Sequence, residues 1–231
     1  MIFVTSRKIG HFGWCLSLVF SLSCSTVKAA DRPKSLSPFA VAVNSPEQVR
    51  LGSGIYLGRG LVLTASHVVG RWHPASRVSI AGKQLPAKIV KQEPFETSDL
   101  TLLSIDDHEV PPETKALRIA LCAFPPVPGE RVMSVSPEQV VATEILSPVW
   151  VPLDARKFDT LIKDVASTGN SGSGVFDAET QCLLGIVSRK ISQVIPPAKG
   201  SGQQPAIFDI AKYFVPAAKI AAFLPAGLLD P

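Results

Sequence analysis

Short apolar runs alternate with turn residues along most of this chain. The runs are three to six residues long and rich in valine, isoleucine and leucine, and glycine, proline or polar residues separate them. Strands of this length, recurring with turns between them, are typical of all-β sandwiches and barrels. The predicted strands cover residues 40–43, 55–57, 61–64, 77–80, 87–91, 100–105, 131–134, 140–145, 160–162, 174–176, 183–188 and 206–210.

The predicted strands fall into two series of six. Between the series lies the segment 124–129, which contains three prolines. Proline has no N–H group to donate, so such a segment does not belong inside a sheet. We therefore expect an N-terminal β-lobe over residues 39–124 and a C-terminal β-lobe over residues 125–231. One helix is expected, over residues 215–224, where apolar side chains recur at helical spacing before a proline.

The amino terminus has the features of an export signal. Arg7 and Lys8 precede an apolar stretch over residues 9–23. This stretch is shorter than the ~20 residues that a membrane-spanning helix needs. Small residues allow cleavage after Ala29, so we expect a signal peptide over residues 1–29 and an exported protein, periplasmic or secreted.

A lipoprotein signal is the alternative interpretation of the same region. The sequence Leu22-Ser23-Cys24 fits a permissive bacterial lipoprotein motif, which would leave Cys24 as a lipid anchor at the bacterial membrane. No transmembrane span is expected in either case. Residues 30–38 are mostly polar and contain two prolines, so they are predicted to form a tether to the folded part.

The charge distribution argues against a nucleic-acid-binding protein. The formal net charge is +4, but three basic residues and no acidic residue lie in residues 1–29. The rest of the chain therefore carries 20 basic and 19 acidic residues. Nucleic-acid binding needs a clustered basic face, and this near balance does not suggest one.

The cysteines leave two alternatives open. Cleavage after residue 29 removes two of the four cysteines and leaves Cys122 and Cys182, in a compartment that permits disulfides. A disulfide between them and a pair of buried free thiols both fit the sequence. Neither a paired-cysteine nor an HExxH-type spacing supports a zinc site, so no metal is expected.

Three segments carry residues suited to nucleophilic catalysis. A serine hydroxyl is a weak nucleophile at neutral pH and needs a base to take its proton; Ser171 is the candidate nucleophile and His67 the candidate base. A carboxylate has to hold the imidazole in the correct tautomer, and Asp99 precedes an apolar strand where it can do so. Backbone N–H groups of Gly169 and Ser171 are the candidate oxyanion donors. Taken singly, each motif also fits an ordinary turn, cap or core histidine.

These segments resemble the motifs of the chymotrypsin-fold (trypsin-like) serine proteases. Residues 64–67 (Thr-Ala-Ser-His), 99–103 (Asp-Leu-Thr-Leu-Leu) and 169–174 (Gly-Asn-Ser-Gly-Ser-Gly) are similar to the family's histidine, aspartate and nucleophile motifs. The likeness is greatest to the bacterial HtrA-like and glutamyl-endopeptidase branches, without a PDZ domain. It spans residues 39–224 and implies two six-stranded antiparallel barrels, a short C-terminal helix and a site between the barrels.

The order of the motifs separates this family from the α/β-hydrolases. Those enzymes place the catalytic histidine after the serine, whereas no histidine follows Ser171 here. The residue before the nucleophile is Asn170, where digestive members of the family have an aspartate that pairs with a newly cut amino terminus. Asn170 has no charge to pair, so we expect that no such activating cut is needed.

The resemblance also indicates where substrate side chains bind. It places Val165 at the floor of the primary pocket, where an apolar side chain disfavours arginine and lysine and favours small or medium aliphatic residues. Ser188, Arg189 and Lys190 are expected on the strand that pairs with an extended substrate. The two cations there either attract acidic substrate residues or form a solvated surface pair.

The sequence therefore predicts an exported serine endopeptidase that acts on protein or peptide substrates through an acyl-enzyme on Ser171. No metal or organic cofactor is implied. A non-catalytic peptide-binding module of the same fold is the alternative.

Overall fold

The first lobe is an antiparallel sheet whose strands come from the N-terminal half of the chain. The computed structural model describes residues 35–45, 52–70, 76–163, 171–197, 202 and 204–229. Seven strands are assigned to this sheet within those residues: β1 (Ala40–Asn44), β2 (Gly52–Gly58), β3 (Leu61–Ala65), β4 (Arg77–Ile80), β5 (Lys83–Pro86), β6 (Lys88–Glu93) and β7 (Leu100–Ser104). Their order in the sheet is β5-β4-β1-β2-β3-β7-β6.

The second lobe is a closed antiparallel barrel of six strands. These are β8 (Arg131–Val135), β9 (Val140–Leu146), β10 (Leu161–Lys163), β11 (Gly174–Asp177), β12 (Leu183–Ile195) and β13 (Ala206–Pro216). The order around the barrel is β10-β13-β12-β11-β8-β9, and pairing of β9 with β10 closes it.

Helices are short in the described part of the chain. They are α1 (Ser66–Val69), α2 (Pro112–Lys115) and α3 (Ala217–Phe223), joined by 3₁₀ turns at Ser37–Phe39, Asp107–Glu109, Pro148–Trp150 and Leu153–Ala155. None of the described helices has the length and apolar character needed to cross a membrane.

Many strands are buried on both faces, which explains their nearly continuous apolar sequences. In β13, Phe214 points into the barrel, whereas Tyr213 and Val215 pack in a larger cluster that contains residues of both lobes. In β2, Ile55 joins that larger cluster and Tyr56 packs inside the first lobe. Alternation along a strand sends successive side chains to opposite faces, so the same strands build each lobe and join the two.

The crossover between the lobes is fixed to the second barrel. Leu121 bridges to Leu183, and the backbone N–H of Cys122 donates to the carbonyl of Leu183 at 3.0 Å. A disulfide joins Cys122 to Cys182, next to that strand. Leu121 and Cys122, just before the proline-rich segment 124–129, therefore contact the second barrel.

The all-β, chymotrypsin-like fold class is confirmed, with differences in detail. A six-stranded barrel was expected for the first lobe, but its described strands form a curled sheet that is not closed into a barrel and that has a seventh strand, β5. The C-terminal helix begins at Ala217 rather than at residue 215 because β13 continues to Pro216. Leu36 is already buried in the core, so the end of the predicted tether is part of the folded structure.

Candidate functional site

His67 lies in a single helical turn at the end of a buried strand. Helix α1 follows β3 directly, and the buried side chains of Val68 and Val69 fix the turn in the first lobe. The backbone N–H of Ser66 donates to the carbonyl of Asp99 at 3.1 Å, which joins this turn to the start of β7. The His67 side chain is 33% exposed, so its ring is open to the cleft.

Asp99 is the last residue of the turn between β6 and β7. The backbone N–H groups of Thr97 and Asp99 both donate to the carbonyl of Pro94 at 3.0 Å. Asp99 has a φ of 56°, in the left-handed region that aspartate tolerates better than most residues. Departures of this kind cluster at functional sites, where the surrounding structure holds them in place.

The carboxylate of Asp99 is buried and surrounded by donors. Within the described residues, four groups donate to it. The His67 ring donates from Nδ1 at 2.8 Å and the His67 backbone N–H at 3.0 Å. The hydroxyls of Ser66 and Ser188 donate at 3.0 Å and 2.5 Å. Ser188, expected in the substrate pocket, thus places its hydroxyl on this carboxylate.

The hydrogen-bond donors around Asp99 set the direction in which the pKa of its carboxyl is shifted. Burial by itself raises the pKa of this carboxyl, but the hydrogen bonds from His67 and Ser188 lower it more, so the pKa lies below its ordinary value. Asp99 is therefore ionised at neutral pH and can only accept hydrogen bonds. Because Nδ1 of His67 must then carry the proton, the neutral ring has Nε2 as its acceptor nitrogen.

Ser171 and Gly172 of the second lobe contact the first lobe. Its carbonyl accepts from the N–H of Ser53 at 2.8 Å, and the next N–H, of Gly172, donates to the carbonyl of Val187 at 2.8 Å. Gly172 has a φ of +87°, and a Cβ there would lie 1.8 Å from the Ser53 carbonyl and 2.6 Å from Oγ1 of Thr64. The backbone at Gly172 therefore packs closely against β2 and β3, the strand that leads to His67, and only glycine fits at this position.

The other predicted residues have different positions. Gly169, Asn170 and Val165 lie outside the described residues. Arg189 stacks on the ring of Phe95, 4.0 Å from its centroid, while Lys190 forms a 2.6 Å ion pair with an exposed aspartate on β13. The structure therefore brings His67, Asp99 and Ser188 together, and the Ser171 backbone is hydrogen-bonded to Ser53 on β2.

Sequence reasoning missed a cavity beside His67. Its volume is about 430 Å³, and its lining includes His67, Phe95, Gln92, Pro94 and Glu96. The ring of Phe95 meets the His67 ring edge-on, with 5.6 Å between centroids. Phe95 lies in a polar turn and has no sequence motif around it, so only the fold brings it to the histidine. Among the described residues, no cluster of histidine, cysteine and acidic side chains is placed to hold a metal ion.

Several solved protease structures have a fold similar to that of this chain. The active form of the Rv3671c protease from M. tuberculosis aligns with a TM-score of 0.56 and 20% identity, covering 84% of this chain and 85% of that one. The MamO protease domain from Magnetospirillum magneticum aligns at 0.55 and 22%, covering 83% and 98%. A serine endoprotease from Yersinia pestis aligns at 0.53 and 21%, covering 86% and 68%.

Comparison of sequences identifies the family. No curated protein matches the chain at a significant level. The sequence profile of the trypsin-like peptidase domain, however, matches residues 52–186, a range that contains His67, Asp99 and Ser171. This range is more than half of the 231 residues, and the fold agrees with it, so the chain belongs to the trypsin-like peptidase family of chymotrypsin-fold proteins.

Proposed function

We propose that this protein is an exported serine endopeptidase that cleaves peptide bonds through an acyl-enzyme on Ser171. In this proposal His67 is the general base and then the general acid, and Asp99 orients it. The N–H groups of Gly169 and Ser171 hold the oxyanion. The observation that carries the proposal is the hydrogen bond of 2.8 Å between Nδ1 of His67 and the buried, ionised carboxylate of Asp99.

The reaction follows from the tautomer that this contact imposes. Oγ of Ser171 attacks the scissile carbonyl carbon while Nε2 of His67 takes the hydroxyl proton. The tetrahedral intermediate collapses as the imidazolium gives that proton to the leaving amine nitrogen. Water then attacks the acyl carbon while Nε2 of His67 takes one of its protons, and the imidazolium returns that proton to Oγ of Ser171 as the C–Oγ bond breaks and the carboxylic acid product leaves. The carboxylate of Asp99 stabilises the imidazolium in both steps.

The packing of the serine loop supports the same assignment. The Ser171 carbonyl accepts a hydrogen bond from the Ser53 N–H, and the Gly172 N–H donates to the Val187 carbonyl. A Cβ at Gly172 would lie 2.6 Å from Oγ1 of Thr64, which is three residues before His67. A nucleophile on a fixed loop beside the base needs little reorganisation before attack.

A fluorophosphonate probe tests the activated serine. We expect the wild-type protein to be labelled, Ser171→Ala to be unlabelled, and Ser173→Ala to retain a reactive Ser171. In a peptide hydrolysis assay, Ser171→Ala should lower the turnover rate by about 10⁴- to 10⁶-fold. Absence of labelling in the wild-type protein would contradict the proposal and favour a peptide-binding module that does not cut.

The export proposal rests on the amino-terminal sequence and on the disulfide. Disulfides such as Cys122–Cys182 persist mainly in oxidising compartments. Mass spectrometry of the protein recovered from its host distinguishes cleavage after Ala29 from lipidation of Cys24. A mature chain that starts at Ala30 supports cleavage by signal peptidase, and a lipid mass on Cys24 supports the lipoprotein form. An uncleaved amino terminus would contradict both.

A further inference from the structure

Arg189 joins the two lobes beside the candidate active site. It lies on β12 of the second lobe, but its guanidinium lies 4.0 Å from the ring centroid of Phe95, which belongs to the first lobe. The same guanidinium donates to the Phe95 carbonyl at 2.9 Å. It also lies 5.1 Å from the ring centroid of Phe158 and 5.7 Å from that of Tyr213. These contacts place the cation within a group of three aromatic rings.

The guanidinium contacts these aromatic rings instead of an acidic side chain among the described residues. In the described part of the chain, its Nε is buried and has no hydrogen-bond partner, and no carboxylate pairs with it. Arginine suits such a position because its planar, weakly hydrated cation stacks on aromatic faces. The Arg189 side chain therefore packs on Phe95 and is poorly placed to attract acidic substrate residues.

Phe95 connects this contact to the candidate catalytic pair. Its ring lies edge-on to the His67 ring, and the carbonyl of its neighbour Pro94 accepts the N–H groups of Thr97 and Asp99. The residue that Arg189 holds is therefore part of the turn that presents Asp99. The residue before Arg189 on the same strand is Ser188, whose hydroxyl donates to Asp99.

We propose that Arg189 is a positioning residue. It fastens the turn over residues 94–99 to the second lobe, keeps Phe95 against the His67 ring, and so holds the His67–Asp99 pair in the orientation that acylation requires. The catalytic part of this inference rests on the proposed function, whereas the fastening of the turn does not. An orientation error of about 1 Å at such a site lowers catalytic rates by up to about 100-fold.

Two measurements on Arg189→Ala test the two parts separately. Hydrogen exchange of the Thr97 and Asp99 amides reports the fastening, and we expect it to become at least about tenfold faster. The second-order rate of fluorophosphonate labelling reports the orientation, and we expect it to fall about 10- to 100-fold. Arg131→Ala, which removes an arginine from an exposed ion pair in the same lobe, is the matched control and should change neither measurement.

A double-mutant cycle shows whether Arg189 acts through Phe95. Phe95→Leu keeps an apolar side chain but removes the aromatic face. In that background Arg189→Ala should lower the labelling rate by no more than about threefold, because the ring contact is already lost and only the hydrogen bond to the carbonyl of residue 95 remains to be removed. Independent effects that multiply would overturn the proposed route. If Arg189→Ala does not fold, Arg189→Lys replaces it, since lysine keeps the charge but loses the planar stack and should show the same losses.

The outcomes separate this inference from the proposed function. Unchanged amide exchange in a folded Arg189 variant overturns the fastening. Faster exchange with an unchanged labelling rate overturns the positioning role. If the wild-type protein is never labelled, the proposed function fails, and the exchange measurement alone decides whether Arg189 fastens the turn.

Discussion

Replacing Ser188 with alanine tests the contact by which the second lobe holds Asp99. The Ser188 hydroxyl donates to Oδ2 of Asp99 at 2.5 Å, and both residues are 1% exposed. A hydrogen bond to a charged group contributes about 1.5 to 3 kcal/mol, and burial prevents water from replacing it. The other donors to this carboxylate remain in Ser188→Ala, so we expect the free energy of unfolding to fall by about 2 kcal/mol at pH 7.

The effect of this substitution depends on pH in a defined direction. The pKa of Asp99 is lower in the folded protein than its ordinary value, because hydrogen bonds from His67 and Ser188 outweigh the effect of burial. Its ionisation therefore stabilises the fold above the unfolded pKa, near 3.9, and this contribution is lost as the pH falls through the folded pKa. Ser188→Ala removes one cause of the lowering. The stability difference between the two proteins should thus be largest near neutral pH and should shrink in acid.

Urea unfolding with the disulfide intact measures both effects. The matched control is Ser192→Ala on the same strand, since the Ser192 hydroxyl also donates to a carboxylate, at 2.7 Å, but at the surface. Water replaces that contact, so the control should change stability little at any pH. The reasoning is refuted if Ser188→Ala is no more destabilising than Ser192→Ala at pH 7, or if its effect grows as the pH falls.

Three further predictions address the serine loop, the histidine and the disulfide. Gly172→Ala should lower the free energy of unfolding by at least about 2 kcal/mol in urea titrations, whereas Gly82→Ala, with a similar φ but open space around its Cβ, should cost less. Asp99→Asn should lower the hydrolysis rate by about 10⁴-fold while the protein stays folded, because the amide no longer enforces the tautomer of the base; a loss under tenfold would contradict that role. Replacing Cys122 and Cys182 together by serine opens a crosslink with a sequence separation of 60 residues and should lower the unfolding free energy by about 2 to 4 kcal/mol, and an unchanged melting temperature would contradict this.

The strands were predictable from the sequence where burial dictates their composition. The runs that became β2, β3 and β7 are apolar because each is buried on both faces, and such runs stand out in any sequence. Strand β5 was not predicted, because it is a mostly exposed edge strand in which only Leu85 is buried. Ala81 and Gly82, which have positive φ, form the hairpin turn before it.

The candidate site was predictable only in part, for a related reason. His67, Asp99 and Ser171 lie in short motifs whose chemistry is readable residue by residue. The interactions of Ser188 and Arg189 depend instead on which strand of one lobe faces which turn of the other. No local pattern encodes that pairing, so the sequence left Arg189 either to attract acidic substrate residues or to lie in a solvated surface pair, whereas its guanidinium stacks on Phe95.

Asp99 connects the stability of the two-lobed fold to the chemistry of its cleft. The donors to its carboxylate come from α1 in the first lobe and from β12 in the second, so only the docked lobes complete its surroundings. A buried carboxylate without those donors would favour its protonated form, and a protonated Asp99 could not impose the tautomer that makes Nε2 of His67 a base. The hydrogen bond from Ser188 therefore belongs both to the contact between the lobes and to the surroundings that keep Asp99 ionised, and a substitution that loosens the interface at Ser188 should weaken both.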